Sequence, residues 1–502
     1  METVAPPVAA AARRAGLLLH VTALPGPWGI GDLGPVARDW ITRLAAASWR
    51  VWQVLPLQPT TGFSPPPARP DPSAGPVEPG CPYLSPSAFA LEPCLLSLDD
   101  LIAAGWLSAH EVPTWEGPAG RVDFARVRAH RAPLFARAAR RAVSASSAWR
   151  AQTPWVETWG VFRALQRQCG GDWRQWPDGA RDRDPAALAA VDPAVVAEEI
   201  ALQWLVAEQW GRLAAHARAE GVALWGDLPI FVDAEACDVW GAPELWRLGD
   251  RVVSGVPPDA FSPGGQRWGH PLYDVAAHQR TGHAWWRARA AVALARTSTV
   301  RIDHFRGLAA WWEVPADAPD ARGGRWVPGL GAPLLDAFAH TWGRPLPFIA
   351  EDLGVITPDV EALRDDFGLP GMAVLQFAWD GDPTNPHHPD RHRVNQVVYT
   401  GTHDSDTTAG WARSLGRRER VAVAARVGCR PDRLREALID VALGSRAQVA
   451  VLPVQDVLGL GSEARFNVPG TTEGNWSWRL PRLPTPAQLG RLSPAIRASS
   501  RV

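Results

Sequence analysis

A chain of 502 residues, with 46% hydrophobic residues, 21% charged residues and a net charge of −1, is typical of a globular protein with two or three domains or one large α/β barrel. The near-neutral charge argues against a nucleic-acid-binding arm or a membrane-surface patch. All 51 basic residues are arginines, so chemistry that needs a lysine nucleophile or a phosphate-binding lysine is excluded.

The cysteines and the N-terminal sequence predict the compartment. Five cysteines, an odd number without C-x-x-C spacing, favour free thiols in a reducing compartment over disulfides or a zinc site. The N-terminal sequence has no basic region before its short apolar run, unlike a signal peptide. We therefore expect a cytoplasmic protein that binds neither membranes nor nucleic acids.

Eight short apolar or β-branched segments, each followed by a helical pattern, predict eight parallel strands. They lie at 16–21, 50–57, 222–232, 299–305, 347–354, 372–377, 396–404 and 448–456. Helices are predicted between them, for example at 34–47 and at 357–367, where Thr357 is the N-cap and Pro358 the first helical residue. This alternation indicates an α/β fold, a closed (β/α)8 TIM barrel, with a doubly wound open sheet as the alternative.

Two stretches between predicted strands are too long to be simple loops. We expect one catalytic barrel domain over residues 1–502 with a mostly helical insertion at about 61–200, whose start at 64–80 is rich in proline. A second insertion, at about 236–282, is rich in turn residues and is expected to form a lid.

Polar residues at the C-terminal ends of the predicted strands would meet at the mouth of a barrel. These are Asp227, Arg301, Asp303, Glu351, Asp352, His403, Asp404, Gln455 and Asp456. The alternation in the segment VRID places Arg301 and Asp303 on one face of their strand, pointing into the barrel. A neighbouring guanidinium favours the charged form of Asp303, as a nucleophile requires.

The other two acidic strand ends suggest complementary roles. Glu351 lies in an apolar setting, where burial raises the pKa of a carboxyl group and makes it a general acid. Asp404, next to His403, would bind the hydroxyls of a sugar ring. Together with 27 tryptophans, some of which could form platforms for sugar rings, the carboxylates predict retaining glycoside chemistry. Asp303 would attack the anomeric carbon, and Glu351 would protonate the leaving oxygen.

Several features have simpler structural interpretations. One Arg–Asp motif is more often a structural ion pair than a catalytic one, but three acidic strand ends favour a catalytic site. Arg306, beyond the strand end, is expected to form a structural ion pair. The segment GLGSEA at 459–464 matches a dinucleotide-binding loop, but no βαβ unit follows it, so we expect a turn. The segment HHPDRH at 387–392 is expected to contain solvated histidines, so no metal is predicted.

Ten segments in chain order resemble the amylomaltases, bacterial 4-α-glucanotransferases related to plant disproportionating enzymes, over nearly the whole chain. Two of them, IAEDLGVIT at 349–357 and GTHDSDT at 401–407, are highly specific. The segments lie within 17–34, 52–60, 82–90, 226–232, 255–274, 301–307, 349–357, 370–379, 399–411 and 467–480.

The resemblance implies an enzyme that transfers α-1,4-glucan segments from a donor maltooligosaccharide to the 4-hydroxyl of glucose or another glucan, with retention and without a cofactor. It implies that Asp303 is the nucleophile, Glu351 the acid/base and Asp404 the carboxylate that stabilises the transition state. The substrate-binding residues it implies are Tyr83, Asp227, Gln266, Trp268, Arg301, His304, His403 and Asn475.

The chain departs from the family pattern at several positions, none of which is one of the three carboxylates. Ala260 stands where the family usually has a tyrosine, His270 stands for the usual asparagine, and the proline-rich 64–80 insertion precedes Tyr83. These changes would affect acceptor binding and product length. An α-1,4-glucan hydrolase of the same barrel type and a non-catalytic glucan-binding protein are the alternatives, although a degenerate enzyme would be expected to have lost a carboxylate.

Overall fold

The computed structural model describes residues 12–60, 80–118, 120–258 and 262–502. Its strands, numbered β1 to β12 in chain order, are Arg14–Leu18, Val51–Gln53, Ala223–Leu228, Val252–Val256, Gln266–Arg267, Thr299–Ile302, Ala310–Pro315, Arg325–Pro328, Phe348–Ala350, Gly371–Val374, Gln396–Tyr399 and Val449–Pro453.

The α-helices of the described residues are numbered α1 to α20 in the same way. They are Pro35–Ala46, Leu98–Ala103, Phe124–Ala142, Ser147–Ala151, Trp155–Cys169, Asp178–Arg181, Pro185–Ala189, Pro193–Ala219, Cys237–Gly241, Val275–Arg280, Ala284–Arg296, Arg306–Ala309, Gly331–Trp342, Pro358–Asp366, Thr408–Ser414, Arg417–Arg426, Leu434–Gly444, Val454–Leu458, Pro486–Gly490 and Ser493–Ala498. None of these described helices has the length and apolarity of a membrane span.

Eight strands form a closed parallel barrel, in the order β1-β2-β3-β6-β9-β10-β11-β12. The last strand pairs with the first, with Arg14 opposite Val449. Between β9 and β10, the amide of Ala350 donates to the carbonyl of Pro370 at 2.9 Å. The order around the sheet equals the order along the chain, whereas a doubly wound sheet reverses its strand order at a switch point. The predicted (β/α)8 barrel is therefore confirmed.

The apolar strand positions pack outward and leave the polar positions inside. Val300 and Ile302 are buried in an apolar cluster that also contains Trp286 and Leu334 from helices outside the barrel. Because side chains alternate along a strand, Arg301 between them faces the barrel interior. The predicted helices are present as α1 and α14, and α14 has Thr357 at its N-cap position and a proline in its first turn.

The connection from β2 to β3 carries seven helices among its described residues, α2 to α8. The longest, Pro193–Ala219, begins where the carboxylate of Asp192 accepts a 2.8 Å hydrogen bond from the amide of Ala194, and it packs against α3 and α5. The proline-rich stretch predicted at 64–80 lies outside the described residues, apart from Gly80.

A second sheet, which the sequence did not predict, lies beside the barrel. It is antiparallel, in the order β5-β4-β7-β8. The strands β4 and β5 lie in the predicted lid segment, but β7 and β8 come after β6, where no insertion was predicted. The prediction failed there because these strands are short, β8 pairs with β7, and β7 pairs with β4, a partner more than fifty positions away in the chain.

Candidate active site

Arg301 lies between two carboxylates from adjacent strands at the mouth of the barrel. Its Nη1 and Nη2 atoms donate to Oδ1 of Asp303 at 2.7 and 2.9 Å. Its Nε atom lies 3.3 Å from Oδ2 of Asp227. Asp227 and Arg301 are direct partners in the pairing of β3 with β6, so the register of two strands builds this contact. One buried guanidinium thus partly compensates the negative charges of both carboxylates.

Tyr83 connects this charged group to an aromatic group. Its phenol donates to Oδ2 of Asp227 at 2.7 Å, and its ring is stacked on the ring of His403 at a centroid distance of 5.2 Å. Trp476 packs against both rings, with centroids 5.8 and 6.0 Å away. Burial, together with the Asp227 carboxylate, raises the pKa of Tyr83, so its phenol remains a neutral donor.

Glu351 is held by two backbone amides. The amide of His304 donates to Oε2 at 2.6 Å, and the amide of Leu353 donates to Oε1 at 3.0 Å. The first bond depends on the left-handed backbone of His304, whose φ is +50°. Burial raises the pKa of Glu351 to about 7, whereas Arg301 and the two amides lower it. A carboxyl group with this pKa can both donate and accept a proton near neutral pH.

The charge on Asp303 depends on more than its guanidinium partner. Burial raises the pKa of Asp303, Arg301 lowers it, and the nearby carboxylates of Asp227, Glu351 and Asp404 raise it. The expected effect of Arg301 is therefore present, but burial outweighs it. The carboxylate of Glu351 is therefore one of the charges that oppose ionisation of Asp303.

Asp404 is held by side chains from two segments. Nε2 of His403 lies 3.3 Å from Oδ2, and Nδ2 of Asn467 donates to Oδ1 at 2.6 Å. Burial lowers the pKa of His403, so its ring is neutral. Sequence reasoning missed Asn467, although the residue lies in one of the family-like segments, because nothing in the local pattern relates it to the end of β11.

The predicted lid residues lie next to His304. The rings of Trp268 and His304 meet edge to face at 4.8 Å, and Nε1 of Trp268 donates to Oε1 of Gln266 at 3.3 Å. Nε2 of His304 is buried and has no hydrogen-bond partner among the described residues. Burial also lowers the pKa of His304 to about 4, which leaves a neutral imidazole next to Trp268.

Asn475 differs from the other predicted binding residues. Its Oδ1 accepts a bond from the amide of Val468 at 3.0 Å, and its Nδ2 donates to the carbonyl of Thr471 at 2.8 Å. Both ends of the amide therefore bind the backbone of its own loop. In this structure, Asn475 closes the loop at 467–476, and the loop in turn presents Trp476 to the aromatic group.

Two acidic strand-end residues do not join the site. Asp352 accepts bonds from Nη1 of Arg364 at 2.5 Å and from the amide of Met372 at 2.7 Å. Asp456 accepts bonds from the hydroxyls of Thr400 and Thr408 and from the amide of Thr408, at 2.5, 2.6 and 2.6 Å. The expectation that every polar strand end faces the mouth is therefore wrong for these residues, which brace neighbouring segments.

Gln455 is also engaged away from the acidic group. Its Nε2 atom donates to the carbonyl of Ala464 at 3.2 Å. This hydrogen bond ties the start of α18 to the segment that leads into the loop at 467–476. Of the polar strand ends, Asp227, Arg301, Asp303, Glu351, His403 and Asp404 are the ones that form the connected group.

The predicted ion pair of Arg306 is not formed. The guanidinium donates to the carbonyl of Val355, and its Cζ lies 3.6 Å from the ring centroid of Trp326. No carboxylate of the described residues lies within 4.0 Å of it; the acidic side chain that acts on it from further away is Asp359. Arg306 therefore has a structural role, as expected, but its partners are the carbonyl of Val355 and the ring of Trp326.

The histidines at 387–392 are not all solvated as predicted. His392 is 1% exposed, and its ring nitrogens lie 2.7 Å from the hydroxyl of Ser445 and 3.0 Å from the carbonyl of His387. Burial lowers the pKa of His387 and His392 to about 4. The described parts of the chain contain no group of three or more His, Cys, Asp or Glu side chains placed to hold a metal ion.

The departures from the family pattern lie only partly within the described residues. Ala260 lies outside the described residues. His270 is stacked on Phe231 at 5.9 Å, and its Nδ1 lies 3.0 Å from the hydroxyl of Ser254. His270 therefore joins Phe231, which follows β3, to Ser254 on β4.

Comparisons with known proteins agree with this geometry. The model of the family described as 4-alpha-glucanotransferase matches residues 19–485. The chain is 43% identical to the 4-alpha-glucanotransferase of Thermus thermophilus, over 98% of this chain and 99% of that protein. It is 41% identical to the chloroplastic/amyloplastic 4-alpha-glucanotransferase of Solanum tuberosum, over 93% of this chain and 82% of that protein.

A solved structure extends the agreement to the fold. The amylomaltase from Streptococcus agalactiae in complex with acarbose matches with a TM-score of 0.90 at 29% identity, over 97% of this chain and 99% of that one. The resemblance seen in the sequence is thereby confirmed, and the chain belongs to the 4-alpha-glucanotransferase family.

Proposed function

We propose that this chain is a retaining 4-α-glucanotransferase that moves α-1,4-glucan segments from a donor maltooligosaccharide to the 4-hydroxyl of glucose or another glucan. The observation that carries the proposal is the arrangement around Arg301 in a chain of this family. One guanidinium holds Asp303 by two hydrogen bonds, and Glu351, whose burial raises its pKa to about 7, lies on the adjacent strand.

In the proposed first step, Asp303 attacks the anomeric carbon of the donor sugar while Glu351 protonates the leaving glycosidic oxygen. Nη1 and Nη2 of Arg301 both bind Oδ1 of Asp303, and Oδ2 accepts no hydrogen bond from the described residues, so Oδ2 is the oxygen available for attack. The C–O bond to the leaving sugar breaks, and the donor segment becomes an ester of Asp303.

In the second step, Glu351 is a carboxylate and takes the proton of the acceptor 4-hydroxyl. The acceptor oxygen then attacks the anomeric carbon and releases Asp303, so the two displacements retain the anomeric configuration. Asp404 would bind ring hydroxyls of the donor sugar and stabilise the oxocarbenium-like transition state. All of these groups are side chains of the protein, and the proposal includes no cofactor.

The proposed substrate-binding residues surround these carboxylates. Tyr83, Asp227, Arg301, His304 and His403 are assigned to the donor sugar, and the buried, unpartnered Nε2 of His304 supports a contact with substrate. Gln266 and Trp268 are assigned to the lid over the acceptor. Asn475 is assigned to the loop across the cleft, which it closes through its own amide.

We place the enzyme in the cytoplasm, with α-1,4-glucans and maltooligosaccharides as its partners. Cys94, Cys169, Cys237 and Cys429 are free thiols, which suits a reducing compartment. The free thiols carry this part of the proposal. Labelling the tagged protein in its native cells would test the assignment, and secretion into the medium would contradict it.

Incubation with maltotriose tests the reaction. A transferase produces glucose and a ladder of longer oligosaccharides, whereas shortening alone would support the hydrolase alternative and overturn the proposal. Asp303→Asn should abolish the ladder. A matched control is Asp390→Asn, because the side chain of Asp390 is 89% exposed and lies outside the site. An unchanged ladder from Asp303→Asn would contradict the mechanism.

A further inference from the structure

The segment 465–476, here named the Asp404 bracket, binds His403 and Asp404, in the loop that follows β11, at several points. Nη2 of Arg465 donates to the carbonyl of Asp404 at 2.6 Å, and Nε donates to the carbonyl of Asn467 at 2.8 Å. The amide of Asn467 donates to the carbonyl of His403 at 3.1 Å. These bonds fix the backbone of the bracket against the backbone that carries Asp404.

The bracket also holds the carboxylate itself. Nδ2 of Asn467 donates to Oδ1 of Asp404 at 2.6 Å, and the amide must present its NH2 group there because a carboxylate only accepts. Asn467 is 8% exposed, whereas the side chain of Asp404 is 45% exposed. A buried donor with a fixed backbone thus holds an acceptor that would otherwise rotate in solvent.

The orientation of Asp404 matters because its proposed role is to stabilise a transition state. Hydrogen bonds that stabilise a transition state need their geometry set before the reaction, and small displacements cost large factors in rate. Among the described side chains, Asn467 contacts Oδ1 and His403 contacts Oδ2. The His403 contact is longer, at 3.3 Å, so Asn467 is the stronger constraint.

We propose that Asn467 is a positioning residue that sets the rotamer of Asp404 for the transition state. This inference depends on the proposed function, which gives Asp404 its role. Asn467 acts through Asp404 and does not contact the reacting atoms. Its loss should therefore reduce kcat more than it changes KM, because the substrate is still bound in the ground state.

The first test compares Asn467→Ala with a matched control. Asn385→Ala also removes a buried amide that donates to a carboxylate, Oδ2 of Asp380 at 3.0 Å, but outside the site. We expect Asn467→Ala to lower kcat for maltotriose about 10- to 100-fold, the value of one charge-assisted hydrogen bond, with KM changed far less. A kcat no lower than that of Asn385→Ala would overturn the inference.

The second test uses Asn467→Asp, which keeps the shape of the side chain. Two carboxyl groups at hydrogen-bond distance repel when both are charged, but one of them takes up a proton as the pH falls and can then donate to the other. The kcat of the variant relative to wild type should therefore rise on acidification. Parallel pH profiles for variant and wild type would contradict a positioning role, even if the variant is less stable.

A parallel measurement on Asp404→Asn separates the two proposals. If that variant loses transfer activity while the Asn467 variants behave like Asn385→Ala, only the positioning role fails. If Asp404→Asn keeps wild-type activity, the proposed role of Asp404 fails, and the inference about Asn467 fails with it.

Discussion

Tyr83 donates a 2.7 Å hydrogen bond from its phenol to Oδ2 of Asp227, although the two residues are 144 positions apart in the chain. The same carboxylate lies 3.3 Å from Nε of Arg301. The contacts therefore form a continuous path from the ring of His403, through Tyr83, Asp227 and Arg301, to Asp303. Each member of this path limits the movement of the next, and each can be tested separately.

Replacing Tyr83 with phenylalanine should lower kcat/KM for maltotriose about 10- to 100-fold, because the carboxylate of Asp227 loses a neutral donor and relaxes against Arg301. The ring stacked on His403 is kept, so Tyr83→Ala should lose more. Steady-state kinetics check both variants. Tyr273→Phe is the control, since it removes a phenol hydrogen bond to the carbonyl of Ile230 outside the site. Wild-type kinetics for Tyr83→Phe would show that the hydrogen bond from Tyr83 to Asp227 does not contribute to activity.

Removing the guanidinium of Arg301 should reduce the free energy of unfolding by about 3–5 kcal/mol, because two carboxylates then lose a buried partner. Urea unfolding of Arg301→Gln measures the loss. Without Arg301, the pKa of Asp303 rises further, so the loss should be smaller at acidic pH, where that carboxyl group is neutral.

Arg301→Lys should recover part of this stability but little activity, since one ammonium group cannot reproduce the contacts of a guanidinium with Asp227 and Asp303 together. Equal stability of Arg301→Gln and wild type would show that the attraction between Arg301 and its two carboxylates is fully offset by the cost of desolvating these charges.

The pKa of Glu351, raised by burial to about 7, sets the alkaline limb of the activity profile. The acid form is needed in the first step, so kcat/KM should fall as the pH rises through about 7. Glu351→Gln should lose about 10²- to 10⁴-fold in kcat/KM for maltotriose and show no such limb. An α-maltosyl fluoride donor, whose leaving group needs no proton, should still form the covalent intermediate.

Glu361→Gln, on the exposed side of α14, is the control for the profile and should keep the limb. If kcat/KM of Glu351→Gln still falls in the same way as the pH rises through about 7, another group is responsible for this titration.

Arg306→Met should reduce the free energy of unfolding by about 1–3 kcal/mol, because the bond to the carbonyl of Val355 and the contact with the face of Trp326 are both lost. The loss should be the same at low and at molar ionic strength, since no exposed ion pair is involved. Thermal unfolding in a salt series measures it. If the loss of unfolding free energy becomes much smaller at high salt, the result would indicate that Arg306 forms an ion pair with a carboxylate.

The local parts of this site could be predicted because they depend on short-range rules. Alternation along a strand put Arg301 and Asp303 on one face, and an apolar setting indicated a raised pKa for Glu351. The eight strands were predictable because each is a short apolar run before a helix. Arg306 could not be assigned a partner in this way, because nothing near it in the chain indicates an aromatic face on β8.

The sequence by itself determined the barrel, the family and the identity of the acidic strand ends, because periodicity and motif order are properties of neighbouring residues. The tertiary structure decided which ends meet. The register of β3 against β6 puts Asp227 beside Arg301, Asp456 is drawn to two threonines, and a distant loop brings Asn467 to Asp404. Such contacts join residues that are tens of positions apart, and pairing and packing of the whole chain bring them together.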